Sequence, residues 1–527
     1  MTSTDRTPAA AAEERPGHPR RWWVLATLVV CILVVIMGNT TLNVALPTLH
    51  REMGATQAEL QWAIDAYILV FAGLLFSWGV LGDRIGRRRV LLIGLAIYAV
   101  ASLFGAFAGS PLELIVWRAV MGVGGAAVQP ATLAVITDVF PARERGRAIG
   151  IWAATGGLAV AGGPLASGAV LEQFWWGAIL LLAVPVAVLG AVGTVLVVPE
   201  SRDPSPGRLD VPGVLLSIVA LASLVYGIIH GGSGAGWTSA GVLVPALGGL
   251  LLLALFVWLQ LRSAHPALDV TLFRNPAFSA AAAALGLNFF ALMGSTFYLV
   301  YYLQGVRGLG PMASGAALIP MALGLAVMAP VSSRLAERFG AKAVVGSGFL
   351  LITGAVAGFQ LLDGGSPMAL MVVILSVQGL GMGAVMAPAT ESIMSVVPRS
   401  KAGAGAAVNN SVRQVGGALG VAILGSLLAA AYAGRLGDAV DALPAGVRAE
   451  ARSSLPATLE AVARARSGGD DEAAAAVVGL VDPARDAFVA AMHTTAVGTA
   501  VATALAGLVV LLWLPGRRRA TPSAAGG

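Results

Sequence analysis

Gly79-Val-Leu-Gly-Asp83-Arg84-Ile-Gly86-Arg87-Arg88-Arg89 separates two apolar runs that begin near Gln57 and Val90. Arginines and an aspartate compressed into so short a gap mark a tight turn between two membrane-crossing helices. Gly86 lets the chain reverse sharply. Asp83 is expected to face the N-terminus of a neighbouring helix, held by its dipole and by the arginines around it. Such a cluster can lock one arrangement of packed helices and break in another. The stretch Leu81-Gly-Asp-Arg-Ile-Gly-Arg-Arg88 returns in degenerate form as Leu335-Ala-Glu-Arg-Phe-Gly-Ala-Lys342. A second echo pairs Gln129-Pro-Ala-Thr132 with Ala387-Pro-Ala-Thr390. The offsets, 254 and 258 residues, agree closely enough to define an internal repeat.

Around these loops the chain is a series of apolar segments, each near the ~20 residues that a ~30 Å hydrocarbon layer requires. Fourteen of them begin near Trp22, Gln57, Val90, Pro111, Ala148, Trp176, Val211, Ser239, Ala277, Pro311, Ala341, Pro367, Gly403 and Ala487. Basic residues collect at every second gap, including Arg20, Arg21, Arg143, Arg145, Arg147, Arg262, Arg274, Arg334, Arg338, Arg399 and Lys401. The short alternate gaps hold only Arg51 and Arg307. Short basic loops resist translocation, so this asymmetry places both termini on the cytoplasmic side. Lysine is nearly absent beside arginine, and alanine and glycine are abundant, which points to a high-GC bacterial genome and so to the inner (cell) membrane. One long outer gap, 433–486, carries further arginines and is exempt by its length. It reads as two short amphipathic helices on the outer face or as a solvated tether.

A composition of 57% hydrophobic and 11% charged residues excludes a soluble globular domain. The net charge of +6 belongs to loops that face anionic lipid headgroups, not to a nucleic-acid surface. Cys31 is the single cysteine, which excludes intramolecular disulfides and a cysteine metal site. No metal ligand set, phosphate loop or nucleophile-base constellation is present, so no catalytic residue, cofactor or enzyme activity is expected.

The repeat advances the segment count by eight, so segments one to six correspond to nine to fourteen. The fold class is therefore all-α and polytopic: two six-helix bundles plus two inserted helices, with the bundles related by an axis along the membrane normal. The division is a cytoplasmic tail 1–21, a first bundle 22–199, a linker with two extra helices 200–276, a second bundle 277–514 and a tail 515–527.

The loop of residues 79–89 resembles the signature between helices two and three of the major facilitator superfamily. Arg118-Ala-Val-Met-Gly122-Val-Gly124-Gly125 is similar to that superfamily's helix-four arginine motif. Gly162-Gly163-Pro164-Leu-Ala-Ser-Gly168 resembles the Gly-Pro motif associated with antiporters. Asn39-Thr40-Thr41-Leu42-Asn43-Val44-Ala45-Leu46-Pro47, the stretch ending in Asn409-Asn410, and the fourteen segments together resemble the fourteen-helix drug:proton antiporters. That resemblance spans nearly all of residues 22–514. It implies the major facilitator fold and export of drugs or quaternary ammonium compounds by a functional monomer, driven by the proton gradient without a cofactor. Two departures stand out: the acid usual just before the Asn39 position is Gly38 here, and the aspartate that many relatives carry at the Asn410 position is absent.

Ionisable groups inside a membrane are costly and mark function by default. Asp65 lies about eight residues into the second segment, roughly 12 Å deep, and Arg118 lies at a comparable depth in the fourth. The two can pair. An acid clasped by arginine stays ionised, whereas an isolated buried one exchanges its proton in a different range. Arg413 lies about 15 Å into the thirteenth segment, near the midplane, with Glu391 as a possible partner. His493 reads as a satisfied polar residue. Asn39, Asn43, Asn288, Asn409, Asn410 and Gln414 are candidates to line a cavity, as are Gln304, Tyr298, Tyr301 and Tyr302, although tyrosine near a helix end is ordinarily an interface anchor. Gly79, Asp83, Arg84, Gly86, Arg87 and Arg88 form the candidate switch, and the Gly-Pro run a candidate seal. The favoured expectation is a proton-coupled exporter of amphipathic organic compounds. A facilitator or importer of a small metabolite is the alternative.

Overall fold

The computed structural model describes residues 18–202, 210–263, 266, 268–397, 402–440, 448, 451–467 and 479–514. Among these there is no strand. Thirteen helices are long and apolar enough to cross a membrane. They are α1 (Arg21–Met53), α2 (Gln57–Ile85), α3 (Arg87–Ala106), α4 (Pro111–Val139), α6 (Ala178–Val197), α7 (Val211–His230), α8 (Ala240–Arg262), α9 (Pro276–Tyr301), α10 (Pro311–Phe339), α11 (Ala341–Gly358), α12 (Met368–Val396), α13 (Ala402–Leu436) and α15 (Val481–Trp513). The fourteenth expected crossing is α5 (Ala142–Leu171), whose 30 residues run beside α1. At 1.5 Å per residue it is about 45 Å long, ample for a bilayer.

Helix starts follow local chemistry. Thr56 and Glu59 form a reciprocal capping box at α2. Ser110 and Asn275 cap α4 and α9, each followed by a proline in the first helical position. Breaks occur at Leu182 in α6 and Leu318 in α10. Each lies just before a proline, Pro185 and Pro320, that cannot donate to the helical ladder.

The internal repeat reappears as packing. In the first half α2 and α3 lie against α4, α1 against α5, and α3 against α6. In the second half α10 and α11 lie against α12, α9 against α13, and α11 against α15. These pairs correspond one to one. Two seams join the halves, α2 with α13 and α5 with α10, and they too are equivalent under the repeat. The inserted helices α7 and α8 pack together, and α7 covers the α2–α13 seam alone. Outward faces carry large exposed apolar side chains such as Leu189, Leu196, Leu215, Val244, Leu251, Leu350 and Leu512. Only a lipid solvent makes such a surface stable.

Within the long outer gap, α13 continues to Leu436 and α15 begins at Val481. Between them α14 (Leu455–Ser467) packs on α1 and α15. Thr458 shares a 2.7 Å hydrogen bond with Tyr432, and the His50 ring lies 3.6 Å from Glu460. The described part of the gap is thus a docked helix. The second expected amphipathic helix falls on residues outside the described set, as do most of the two tails.

Candidate functional site

The charged turn is built as its residues dictate. Gly86 adopts φ +112°, and its N–H closes α2 on the Gly82 carbonyl at 3.0 Å, one residue before α3 begins. Arg87 donates to Asp83 Oδ1 through Nε at 3.1 Å and Nη2 at 3.0 Å. Its Nη1 bonds Asp138 at the end of α4. The Arg88 N–H reaches Glu200 at 3.2 Å, its Nη2 reaches the Val195 carbonyl at 2.7 Å, and Arg89 lies 3.7 Å from Glu200. The cluster therefore ties α2, α3, α4 and the end of α6 together. Asp83 is held by Arg87, one of the neighbouring arginines that the sequence reading expected around it. A Cβ on Gly79 would make only an ordinary 3.8 Å contact with Pro130 of α4, and Arg84 is exposed. Asp138 and Glu200 were missed. Their only signal was that each is an acid at the end of an apolar segment next to a basic stretch. In the second half Gly340 makes the same turn with φ +88°, but Ala341 stands where Arg87 does, so that turn has no such clasp.

The Gly-Pro run of α5 splits by role. A Cβ on Gly168 would fall 2.6 Å from the Pro311 carbonyl oxygen, and one on Gly315 would fall 2.3 Å from the Pro164 carbonyl oxygen. These glycines let α5 and α10 touch backbone to backbone at the ends that the arginine asymmetry places outside. A Cβ on Gly163 would meet Thr40 of α1 at 2.3 Å, whereas Gly162 faces open space. Gly168→Val is therefore expected to pry α5 from α10, costing about 1–3 kcal/mol of packing and most of any transport. Gly162→Ala should leave transport at the wild-type level. Side-by-side transport assays normalised to membrane expression check this pair, and equal activity in both variants would remove the seal.

In the interior the two expected ion pairs are not formed. Arg118 is fully buried and donates to backbone carbonyls, through Nε to Ala63 at 2.9 Å and Nη1 to Gly38 at 3.0 Å. Its guanidinium lies 4.5 Å from the centre of the Tyr67 ring. Tyr67 and Tyr98 are themselves pinned to the carbonyls of Val35 and Val34. Asp65, also fully buried, points elsewhere, and neither carboxylate oxygen has a hydrogen-bond partner. It lies one turn from Gln61, whose amide would strike a Cβ on Gly425 of α13 at 2.0 Å. Asp65 is thus on the side of α2 turned toward α13. Arg118 and Asp65 share a depth but point to different neighbours.

Glu391 is exposed and accepts from Ser333 at 2.7 Å, far from the role of partner to Arg413. Arg413 is half-buried, with its guanidinium 4.4 Å from the centre of the Phe289 ring. Gly38, at the position where an acid was expected, explains its own identity: a Cβ there would sit 1.9 Å from the Tyr98 hydroxyl.

The polar candidates divide likewise. Asn43 and Asn288 are buried with amide atoms unpartnered, and Asn409 is buried with its Oδ1 unpartnered. Asn410 accepts from Gln129 of α4 at 2.9 Å across the middle of the molecule, and Gln414 is half-buried on the same face. The side chain of Asn39 lies outside those described. Gln304 donates to the Val44 carbonyl at 2.8 Å. Tyr298, Tyr301 and Tyr302 are buried in the core rather than anchored at a lipid interface. His493 bonds the Leu362 carbonyl at 2.9 Å, a satisfied polar residue. Polar residues of α4 and α13 such as Gln129, Asn410 and Gln414 are partly accessible. By contrast α9 from Phe290 to Tyr302 is wholly buried.

Two equivalent six-helix halves, a clasped turn in one and a polar interior at their junction agree with a family match: the model described as Major Facilitator Superfamily fits residues 28–421. The chain belongs to the major facilitator superfamily. Among relatives, it is 35% identical to the puromycin resistance protein pur8 of Streptomyces alboniger, over 82% of this chain and 86% of that one. It is 36% identical to the multidrug efflux pump LfrA of Mycolicibacterium smegmatis, over 82% and 83% respectively. A solved structure, a bacterial homologue of the human lysosomal transporter Spinster in an inward-facing, unoccupied conformation, superposes with a TM-score of 0.65 at 17% identity. It covers 95% of this chain and 98% of that one. This last likeness concerns the fold alone. As a superfamily member the protein is a multi-pass membrane protein of the transporter class.

Proposed function

We propose that this protein is a proton-coupled exporter of drugs or other amphipathic organic compounds in a bacterial cell membrane, with both termini cytoplasmic. It works as a functional monomer, by rocking of residues 22–199 against residues 277–514, and performs no catalysis. The observation that carries this reading is Asp65: a fully buried carboxyl group on the side of α2 turned toward α13, with neither oxygen partnered. An ion in that position is costly to bury, and a bound proton removes the cost. Opening the seam exposes the group to water, where it can release the proton. A group whose charge depends on which side is open is the element that alternating access needs to couple protons to export. Drug-resistance relatives such as pur8 and LfrA support the export direction.

Gly168 and Gly315 close one side of the pathway, and the Arg87 clasp keeps the first half rigid as it moves. A drug-susceptibility panel in an efflux-deficient host tests the reading. The wild-type gene should raise resistance to several unrelated amphipathic compounds, and a transport-dead Asp83 variant should not. Susceptibility unchanged across the panel, with the protein present in the membrane, would contradict export.

A further inference from the structure

Arg413 is a half-buried charge with no ion partner among the described residues. It lies within one turn of Asn410, which meets Gln129 of α4 between the halves, so this face of α13 looks into the central space. The guanidinium stacks on Phe289 and makes no ion pair or hydrogen bond with any described residue. The other charges at this level are engaged or enclosed. Arg118 is held by two carbonyls and Tyr67, Asp65 is buried on the side of α2 turned toward α13, and Glu391 is exposed beside Ser333. Among the described residues, therefore, no carboxylate offsets Arg413 from the central side.

We propose that the interior site selects flat aromatic compounds with a carboxylate, sulfonate or phenolate edge, and rejects permanent cations. This rests on the export reading and names its substrate class. Phe289 lies against one face of the guanidinium, and its N–H groups, which bond no described residue, remain as donors for a ligand. A guanidinium is a planar fork that matches a two-oxygen anion, and its face stacks on an aromatic ring. At a half-buried position the charge is screened less than at the surface, so it attracts such an anionic edge and repels a quaternary ammonium group. The polar amides of Asn410 and Gln414 beside it supply hydrogen bonds without adding negative charge.

Everted membrane vesicles holding a proton gradient test this with two xanthene dyes of similar ring system and opposite charge, carboxyfluorescein and tetramethylrhodamine methyl ester. Dye is counted after filtration and lysis at one fixed pH, against vesicles lacking the protein. The ratio of the two dyes is read, so that a weakly expressed variant still decides. Wild-type vesicles should concentrate carboxyfluorescein and not the rhodamine ester. Arg413→Gln should lower that ratio about tenfold, Arg413→Lys should keep part of it, and Arg413→Glu should reverse it. Concentration of the rhodamine ester alone by the wild type, or an unchanged ratio in Arg413→Gln, overturns the inference while leaving export standing. Concentration of neither dye by energised wild-type vesicles overturns the inference, and the susceptibility panel then decides separately whether export stands.

Discussion

An Asp65→Asn protein is expected to insert and fold normally yet lose proton-driven export of every substrate, by about tenfold or more. Asparagine matches aspartic acid in size. Because neither carboxylate oxygen has a partner, the exchange breaks no hydrogen bond. What it removes is the ability to gain and lose a proton as the seam closes and opens. Asp65→Glu should restore part of the activity with a shifted pH profile, because it keeps the titratable group and changes its reach. Drug accumulation in energised cells, with surface expression measured in parallel, checks both variants. Wild-type export with the same pH dependence in the asparagine variant would leave Asp65 a structural residue.

Neutralising the clasp should have a comparable effect by another route. Arg87 is held by Asp83 from α2 and Asp138 from α4, bonds that fix the first half as one body. Charge-assisted bonds of this kind are the strong ones. Asp83→Asn leaves the arginine with one acid, and export should fall about tenfold or more while membrane insertion persists, since the orienting arginines remain. Asp138→Asn should act in the same direction. Asp83→Glu should retain part of the activity. Normal efflux in Asp83→Asn at equal surface expression would remove the switch role.

The span pattern, the sharp turn at Gly86 and the repeat were all legible in the sequence because each depends on local chemistry or on length. Hydropathy fixes depth along a helix, and Gly86 fixes a backbone angle. Depth says nothing of the direction in which a side chain leaves the helix. Asp65 and Arg118 therefore read as a pair, yet one turns toward α13 and the other toward the carbonyls of Gly38 and Ala63. The same limit misassigned Glu391 to Arg413. Likewise the run Gly162-Gly163-Pro164 gave no sign that Gly163 touches α1 while Gly162 touches nothing, because that distinction depends on which neighbour each residue faces. Asp138 and Glu200 joined the charged turn from about 50 and 110 residues away in sequence, a separation that only the fold closes.

The central claim is that outward movement of substrate requires inward movement of protons through Asp65. Proton flux into proteoliposomes, followed with an entrapped pH-sensitive dye while an exported compound is added on one side, measures it directly. Wild-type protein is expected to change the luminal pH only when the compound is present, and Asp65→Asn protein is expected to give no change under the same conditions. Proton movement in the Asp65→Asn protein equal to that of the wild type, or compound movement by the wild type with no accompanying protons, would contradict it.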